Sequence, residues 1–323
     1  MRDVSIVGLG QTPVGEHWDT SLRELGFRAL EAALKDAKAE RVEALYVGNM
    51  LSGHLTGQEH IAALIADFAG LRGIEAIKIE AACASGAAAL RVGYAMVAGG
   101  LADIVAVVGV EKMTDQAPET VTAAMAMGVD ADYEAMQGLT HMGVGAMLMR
   151  RYMHEHGFKR EDFANFAITA HANAAGNPNA MYRSPISARL FNEAKPIADP
   201  ISMFDSAPAA DGAACVILAP TEIAREFSDK PVRIRASAVA TDTVAAHDRR
   251  DPLYLEAAAI SAQKAFAAAG LGPDDIDLLE THDAFTILSA LSLEACGFAP
   301  RGGGVRLAQN GEIGLRGRIP ITT

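Results

Sequence analysis

The chain has 323 residues, half of them apolar, which is enough to bury a sizeable core in one large domain or two medium ones. Charged residues make up 21%, an ordinary share that excludes wholesale disorder. The net charge of −12 and a pI near 5.2 argue against a nucleic-acid or anionic-membrane surface, because neither polyanion would be attracted. The three cysteines, Cys83, Cys215 and Cys296, are widely spaced and form no C-x-x-C pair, so neither a disulfide framework nor a zinc site is expected and the pattern fits a reducing compartment. The N-terminus lacks a signal-peptide core, and the longest apolar runs are strand-sized. A cytoplasmic protein with no membrane span is expected.

Read in chain order, Val4 to Gly8 predicts a strand. Ser21 then precedes a helical pattern in which Leu22, Leu25, Ala29, Leu30, Ala33 and Leu34 recur every three or four residues. A strand from Ala44 to Val47 follows, then a helix with Ile61, Leu64, Ile65 and Phe68 on one face. Next come a strand from Ala76 to Glu80, a helix from Ser85 to Ala98 and a buried strand from Ile104 to Val110. This alternation predicts an α/β fold with a mostly parallel central sheet. From Glu111 to about Asp211 the alternation stops. The chain becomes Met-rich, with helices over 142–154 and 161–173 and an irregular basic stretch around Arg183, Arg189 and Lys195. This stretch reads as an insertion that carries specificity on a rigid scaffold. Strand signals return over 213–218.

The first pattern then recurs. The helix at 29–36 leads to the strand at 42–47, and the helix at 262–270 leads through Pro273-Asp274-Asp275 to a strand at 276–280; strands at 4–8 and 232–239 precede the two helices. Two copies of one unit predict a duplicated α/β domain: residues 1–110 and 206–225 as the first half, 111–205 as an inserted loop domain, and 226–323 as the second half. By internal symmetry the second half lacks at least a helix and a strand after Thr323, so an incomplete C-terminal half is expected.

Cys83 lies in Ala81-Ala82-Cys83-Ala84-Ser85-Gly86, between a strand and a helix. Unpaired N–H groups and the dipole at a helix N-terminus favour a thiolate, the nucleophilic form, and the Cys83 N–H could help to hold an oxyanion. The competing reading is a structural cysteine packed among small residues. Cys215 sits inside an apolar strand and Cys296 near a helix end, and both read as core. His282 follows the strand at 276–280, at the sheet edge where α/β proteins gather ligands, and could titrate or donate to an oxyanion; capping the next helix is the alternative. His54, His60, His154, His156, His171 and His247 read as surface or polar fillers.

Across its whole length the chain resembles the thiolase superfamily. The stretch 81–86 is similar to the thiolase nucleophile loop, with Val110-Glu111-Lys112-Met113 close behind it. His141-Met142-Gly143 resembles the loop-domain motif whose Met lines the acyl pocket. His282-Asp283-Ala284-Phe285 resembles the motif that replaces Asn-Glu-Ala-Phe in archaeal and sterol-carrier-protein types. Gly57-Gln58-Glu59-His60 and Gly311-Glu312-Ile313-Gly314 point more narrowly to archaeal-type acetoacetyl-CoA thiolases.

The resemblance implies two similar α/β domains in layers of helix, sheet, helix, sheet and helix, with an inserted loop domain, in dimers or tetramers. It implies ping-pong transfer through an acyl thioester on Cys83, making or cleaving acetoacetyl-CoA or another 3-ketoacyl-CoA, with His282 in the oxyanion hole and Met142, Ala284 and Phe285 at the substrate. Coenzyme A thioesters enter as substrates, with no bound cofactor or metal. Its implied partners are 3-hydroxy-3-methylglutaryl-CoA synthase and a small OB-fold acyl-CoA-binding protein. Arg183, Arg189 and Lys195 either meet the CoA phosphates or are solvated.

Two departures stand beside it: residues 1–323 hold no Gly-His-Pro, the motif whose His activates the nucleophile, and Ala284 replaces the acid/base Cys of sterol-carrier-protein thiolases. A non-catalytic CoA-binding subunit and an acyl-CoA retro-aldolase are the alternatives, while ketoacyl synthases share the elbow but not the insertion or the His282 motif.

Overall fold

The computed structural model describes residues 1–322. In chain order its elements are β1 (Val4–Gln11), α1 (Leu22–Asp36), β2 (Ala44–Gly48), α2 (Ser52–Leu55), α3 (Ile61–Phe68), β3 (Glu75–Ile79), α4 (Ser85–Gly99) and β4 (Val105–Glu111). Then come α5 (Pro118–Met125), α6 (His141–His156), α7 (Ala164–Ala174), α8 (Ala188–Asn192), β5 (Pro196–Ala198), β6 (Ile201–Ser202) and β7 (Gly212–Pro220). The chain continues through α9 (Ala224–Phe227), β8 (Val232–Ile234), α10 (Glu256–Ala269), α11 (Thr286–Ala295) and α12 (Gly304–Gln309). These elements fall into two compact units, residues 1–124 with 209–237, and residues 125–208 with 238–323.

The first unit is a six-stranded sheet in the order β3-β2-β4-β7-β1-β8, with helices on both faces. Alternation along the strands explains the layers. Leu45, Val47, Ala106, Val108 and Ile217 point to the layer that holds Leu25, Leu30 and Ala33 of α1 and Ile61 and Ile65 of α3. Ala44, Tyr46, Val105, Val107 and Leu218 point to the opposite layer, with Ala89 and Val97 of α4. Helix α1 begins where the sequence places it, with the Ser21 hydroxyl accepting from the Glu24 N–H. It lies so close to β1 that a Cβ on Gly10 would fall 1.9 Å from the Ala29 carbonyl oxygen, so only glycine fits there.

The sheet is mixed, not mostly parallel. β2 pairs in parallel with β3 and β4, whereas β4–β7, β7–β1 and β1–β8 are antiparallel. The reason is the long excursion after β4, which brings the chain back as β7 between β4 and β1, running against both. Residues 232–234, expected to open a second copy, pair with β1 instead.

A buried charge cluster ties this return in place. Lys112 Nζ meets Asp211 Oδ2 at 3.2 Å, Asp115 Oδ1 at 2.9 Å and the His17 carbonyl at 2.7 Å. Asp211 also accepts from the N–H groups of His17, Met113 and Thr114 and from the Thr114 hydroxyl. Burial alone would raise this carboxyl, but those donors outweigh it and hold it at about 2.

In the second unit one hydrophobic core joins residues of the segment read as an insertion to those after it: Met149 and Tyr152 of α6, Phe163, Phe166 of α7, Phe191, Ile287 and Leu291 of α11, Val305 of α12, Ile319 and Ile321. The Glu294 carboxylate inside it accepts from the Tyr152 hydroxyl and from the N–H groups of Gly302 and Gly304. The repeated helix–turn order is present as α10 and a 3₁₀ turn at Pro273–Asp275. The strand expected at 276–280 is not. Among the described residues that stretch makes one parallel bridge, Leu279 to Ile321, because no neighbouring strand completes a ladder, and Leu278 is half exposed. Thr323, the last residue of the strand-like ending, lies outside the described residues.

The Asp211 cluster gives a pH-dependent prediction. Its folded value lies below the ordinary 3.8, so its contribution is present above about pH 4 and is lost as the pH falls through about 2; it amounts to about 2 kcal/mol. Asp211→Asn is expected to cost about that much in urea unfolding at neutral pH, with the gap to wild type narrowing from about pH 4 towards about pH 2. A gap that stays constant over that range would contradict the assignment.

Candidate active site

In the first unit, residues 80–84 turn the chain from β3 into α4, and Cys83 sits one residue before the helix N-cap, Ala84. Ala82 adopts φ +47°, a left-handed conformation that costs a non-glycine residue on the order of 1 kcal/mol. Hydrogen bonds hold it there. The Ser85 hydroxyl donates to the Ala82 carbonyl at 2.6 Å and accepts from the Ala81 N–H at 2.9 Å. The Ala82 N–H donates to Glu80, and the Ala84 N–H to the Ala81 carbonyl. The elbow in turn is seated on the sheet through glycines. A Cβ on Gly48 would lie 2.5 Å from the Ser85 carbonyl oxygen and 2.7 Å from Gly86 Cα.

Cys83 is exposed, which removes the reading of a buried structural cysteine. Its acidity departs from expectation. Protein packed around the sulfur raises the thiol, the cysteine's own N–H offsets part of that, and the Glu111 carboxylate raises it again. The helix terminus does not leave a resting thiolate, because desolvation and a nearby anion act against it. Cys215 is buried in β7 and Cys296 closes α11; burial raises both thiols, that of Cys215 far more.

The second unit assembles His141, Met142, Ala284 and Phe285, with His282 exposed at its surface. Thr140 caps α6, its hydroxyl accepting from the Gly143 N–H at 3.1 Å, and so places His141 and Met142 in the first helical turn. The His141 ring lies 5.1 Å from that of Phe285. Phe285 packs on Gly145, where a Cβ would come within 2.7 Å of the ring. An antiparallel bridge from Ser206 to Phe285 and a 3.0 Å bond from the Ala207 N–H to the Ala284 carbonyl pin the turn 282–285 before α11.

Burial lowers His141, and the neighbouring His282 lowers it further, so the neutral imidazole is favoured at His141. Burial raises Asp283, and Glu280 adds to this, while its own N–H and His282 pull the other way. Asp283 also lines a cavity of about 190 Å³ with His171, Phe204, Asp205, Thr286 and Ser289. His282 does not follow a strand as expected, because residues 276–280 form none.

Other sequence candidates are less engaged. Arg183, Arg189 and Lys195 are exposed, and Arg189 pairs with Glu193 one turn on. His156 is no surface filler: its ring lies 4.6 Å from that of Tyr152, with a buried Nε2. His141 and Glu111 stand within the motifs 141–143 and 110–113, but nothing local in the sequence sets them apart from their neighbours.

An accessible cysteine on a strained elbow above a mixed sheet, in one of two compact units, defines the class as an α/β protein of two units. The thiolase N-terminal domain model matches residues 4–198, and the thiolase C-terminal domain-like model matches residues 238–323. The chain belongs to the thiolase family and is an acyl-CoA acyltransferase. An acetyl-CoA acetyltransferase of Methanothermobacter thermautotrophicus is 44% identical over 323 residues, covering 99% of this chain and 84% of that protein. Among solved structures, the Ltp2-ChsH2(DUF35) aldolase superposes with a TM-score of 0.85 at 25% identity, covering 99% of this chain and 83% of that one. The acetyl-CoA acetyltransferase of Syntrophomonas wolfei has the same fold, with a TM-score of 0.73 at 18% identity over 91% of this chain and 82% of that one.

The seating of the elbow is testable. Gly48→Ala drives a Cβ into backbone that cannot swing aside, so it is expected to cost about 1–3 kcal/mol in urea unfolding and to slow alkylation of Cys83 by iodoacetamide. Unchanged stability together with unchanged alkylation would show that the helix terminus is not held there.

Proposed function

We propose that the chain transfers acetyl groups between CoA thioesters, making or cleaving acetoacetyl-CoA, through a thioester on Cys83. In the first half-reaction the Cys83 thiolate attacks the carbonyl carbon of acetyl-CoA. The carbonyl becomes an oxyanion and then collapses, expelling CoA thiolate, which takes up a proton. In the second, the deprotonated α-carbon of another acetyl-CoA attacks the acetyl-Cys83 carbonyl, forming a carbon–carbon bond and releasing the Cys83 thiolate. His282 is assigned to the thioester oxyanion, and Met142, Ala284 and Phe285 to the acyl group. The exposure of Cys83 on its strained elbow is the observation that carries this reading, and the 44% identity to an acetyl-CoA acetyltransferase supports the acetyl group.

A cytoplasmic homodimer is part of the proposal. β3 is an edge strand with Ile77 46% exposed, an unpaired ladder suited to a second copy. A small partner of the DUF35 kind is proposed from the aldolase neighbour. The same neighbour supports the second reading, cleavage of a 3-hydroxyacyl-CoA without an acyl-enzyme.

Incubation of the chain with acetyl-CoA is expected to yield an acetyl adduct that peptide mass spectrometry maps to Cys83, absent from Cys83→Ser and retained in Cys215→Ser. His282→Ala is expected to slow turnover roughly a hundredfold, equivalent to about 3 kcal/mol of barrier. Labelling at Cys215, or none, overturns the acyl-enzyme. Cleavage of a 3-hydroxyacyl-CoA by Cys83→Ser would establish the aldolase instead.

A further inference from the structure

Glu111 ends β4 and takes no part in the chemistry described above. Its carboxylate is nonetheless the busiest acceptor near the elbow. It takes the Asn49 carboxamide at 2.6 Å, the Met50 N–H at 3.0 Å and the Leu51 N–H at 3.2 Å. The same Asn49 carboxamide donates to the Val110 carbonyl, and the Asn49 N–H donates to the Ile79 carbonyl at the end of β3. The turn 49–51 is therefore fastened to the C-terminal ends of β3 and β4 at once. It directly follows Gly48, the residue on which Ser85 and Gly86 rest.

We propose that Glu111 is a positioning residue for Cys83, its carboxylate locking the turn 49–51 to the strand ends that seat the cysteine's loop and keeping a negative charge beside the sulfur. This rests on Cys83 being the nucleophile, but it can be examined without any acyl-CoA. The charged and titratable groups on the surrounding elements are Glu75 and Lys78 on β3, Lys78 with its partner Glu59, Glu80 within the elbow, Arg91 on α4, His54 on α2 and Glu111 itself. Burial raises the Glu111 carboxyl and outweighs the three donors from 49–51 and Lys78, which pull it down. Of these groups, Glu111 is the one that raises the Cys83 thiol.

The experiment is the pH profile of Cys83 alkylation by iodoacetamide in the whole chain, read by peptide mass spectrometry. Glu111→Gln keeps an amide oxygen for the turn and removes the charge, so the midpoint is expected to fall below that of wild type. Glu111→Asp keeps the charge and is expected to restore the wild-type midpoint. A Glu111→Gln protein with lower urea resistance but an unmoved midpoint makes the residue merely structural and overturns the proposal. If Glu111→Gln does not fold, the wild-type profile decides. Coupling to Glu111 predicts that the logarithm of the rate falls less steeply than a single-proton line where Glu111 protonates, and a plain single-proton profile overturns the proposal. Because no acyl-CoA is present, failure of acetyl labelling would leave this result standing.

Discussion

The absence of a side chain at Gly48 is the constraint on which the elbow depends. The N-terminus of α4 approaches the end of β2 so closely that the Ser85 carbonyl and Gly86 Cα occupy the space a methyl group would need. That approach fixes where the helix starts, and with it the five-residue span over which the chain must leave β3 and enter α4. So short a span cannot be crossed with every residue in a relaxed conformation, and the strain falls on Ala82 at φ +47°. Ser85, buried and bonded in both directions, holds that strain in place. The accessibility of Cys83 follows from the same geometry, since a loop that turns this sharply carries its apex away from the sheet.

Electrostatics divide between the two units in a consistent way. In the first, Cys83 is kept as a thiol by desolvation and Glu111; in the second, His141 is kept neutral by burial and His282. Both groups are therefore uncharged at rest. A group held uncharged by its surroundings is one whose ionised form a bound ligand could alter, whereas a fixed ion such as Asp211, held near 2 among five donors, is suited to holding chain segments together.

Much of this was legible in the sequence because it is local. The boundaries of β1, α1, α3 and α4 follow from apolar spacing and, for α1, from one capping serine, and the elbow cysteine is marked by its small neighbours. What was not legible depends on partners distant in the chain. Strand β7 wedges between β4 and β1 after an excursion of about a hundred residues, and no periodicity in 213–218 says in which direction it will run. The segment 276–280 has the composition of a strand, but composition supplies no neighbouring ladder. Lys112 and Asp211 are separated by 99 positions, so their pairing has no local sign. The tuning of Cys83 likewise depends on distant partners. A helix terminus can be inferred from adjacent residues, whereas the burial that chiefly opposes it, and the Glu111 charge that adds to it, come from elsewhere in the chain.

A raised thiol is compatible with the role proposed for Cys83, in which the sulfur both accepts and surrenders an acyl group. A thiolate's intrinsic nucleophilicity grows with its basicity, while the fraction ionised shrinks, and the two trends partly cancel. A strongly acidic cysteine would release the acyl group readily but attack a CoA thioester sluggishly. One held above its ordinary range attacks well once deprotonated and forms a thioester comparable in energy with that of CoA, itself an alkyl thiol. Transfer in either direction is then not trapped at the covalent stage. The same environment protects the resting enzyme: sulfur oxidation and adventitious alkylation proceed through the thiolate, so a site exposed to solvent stays intact longest when its sulfur remains protonated until substrate arrives.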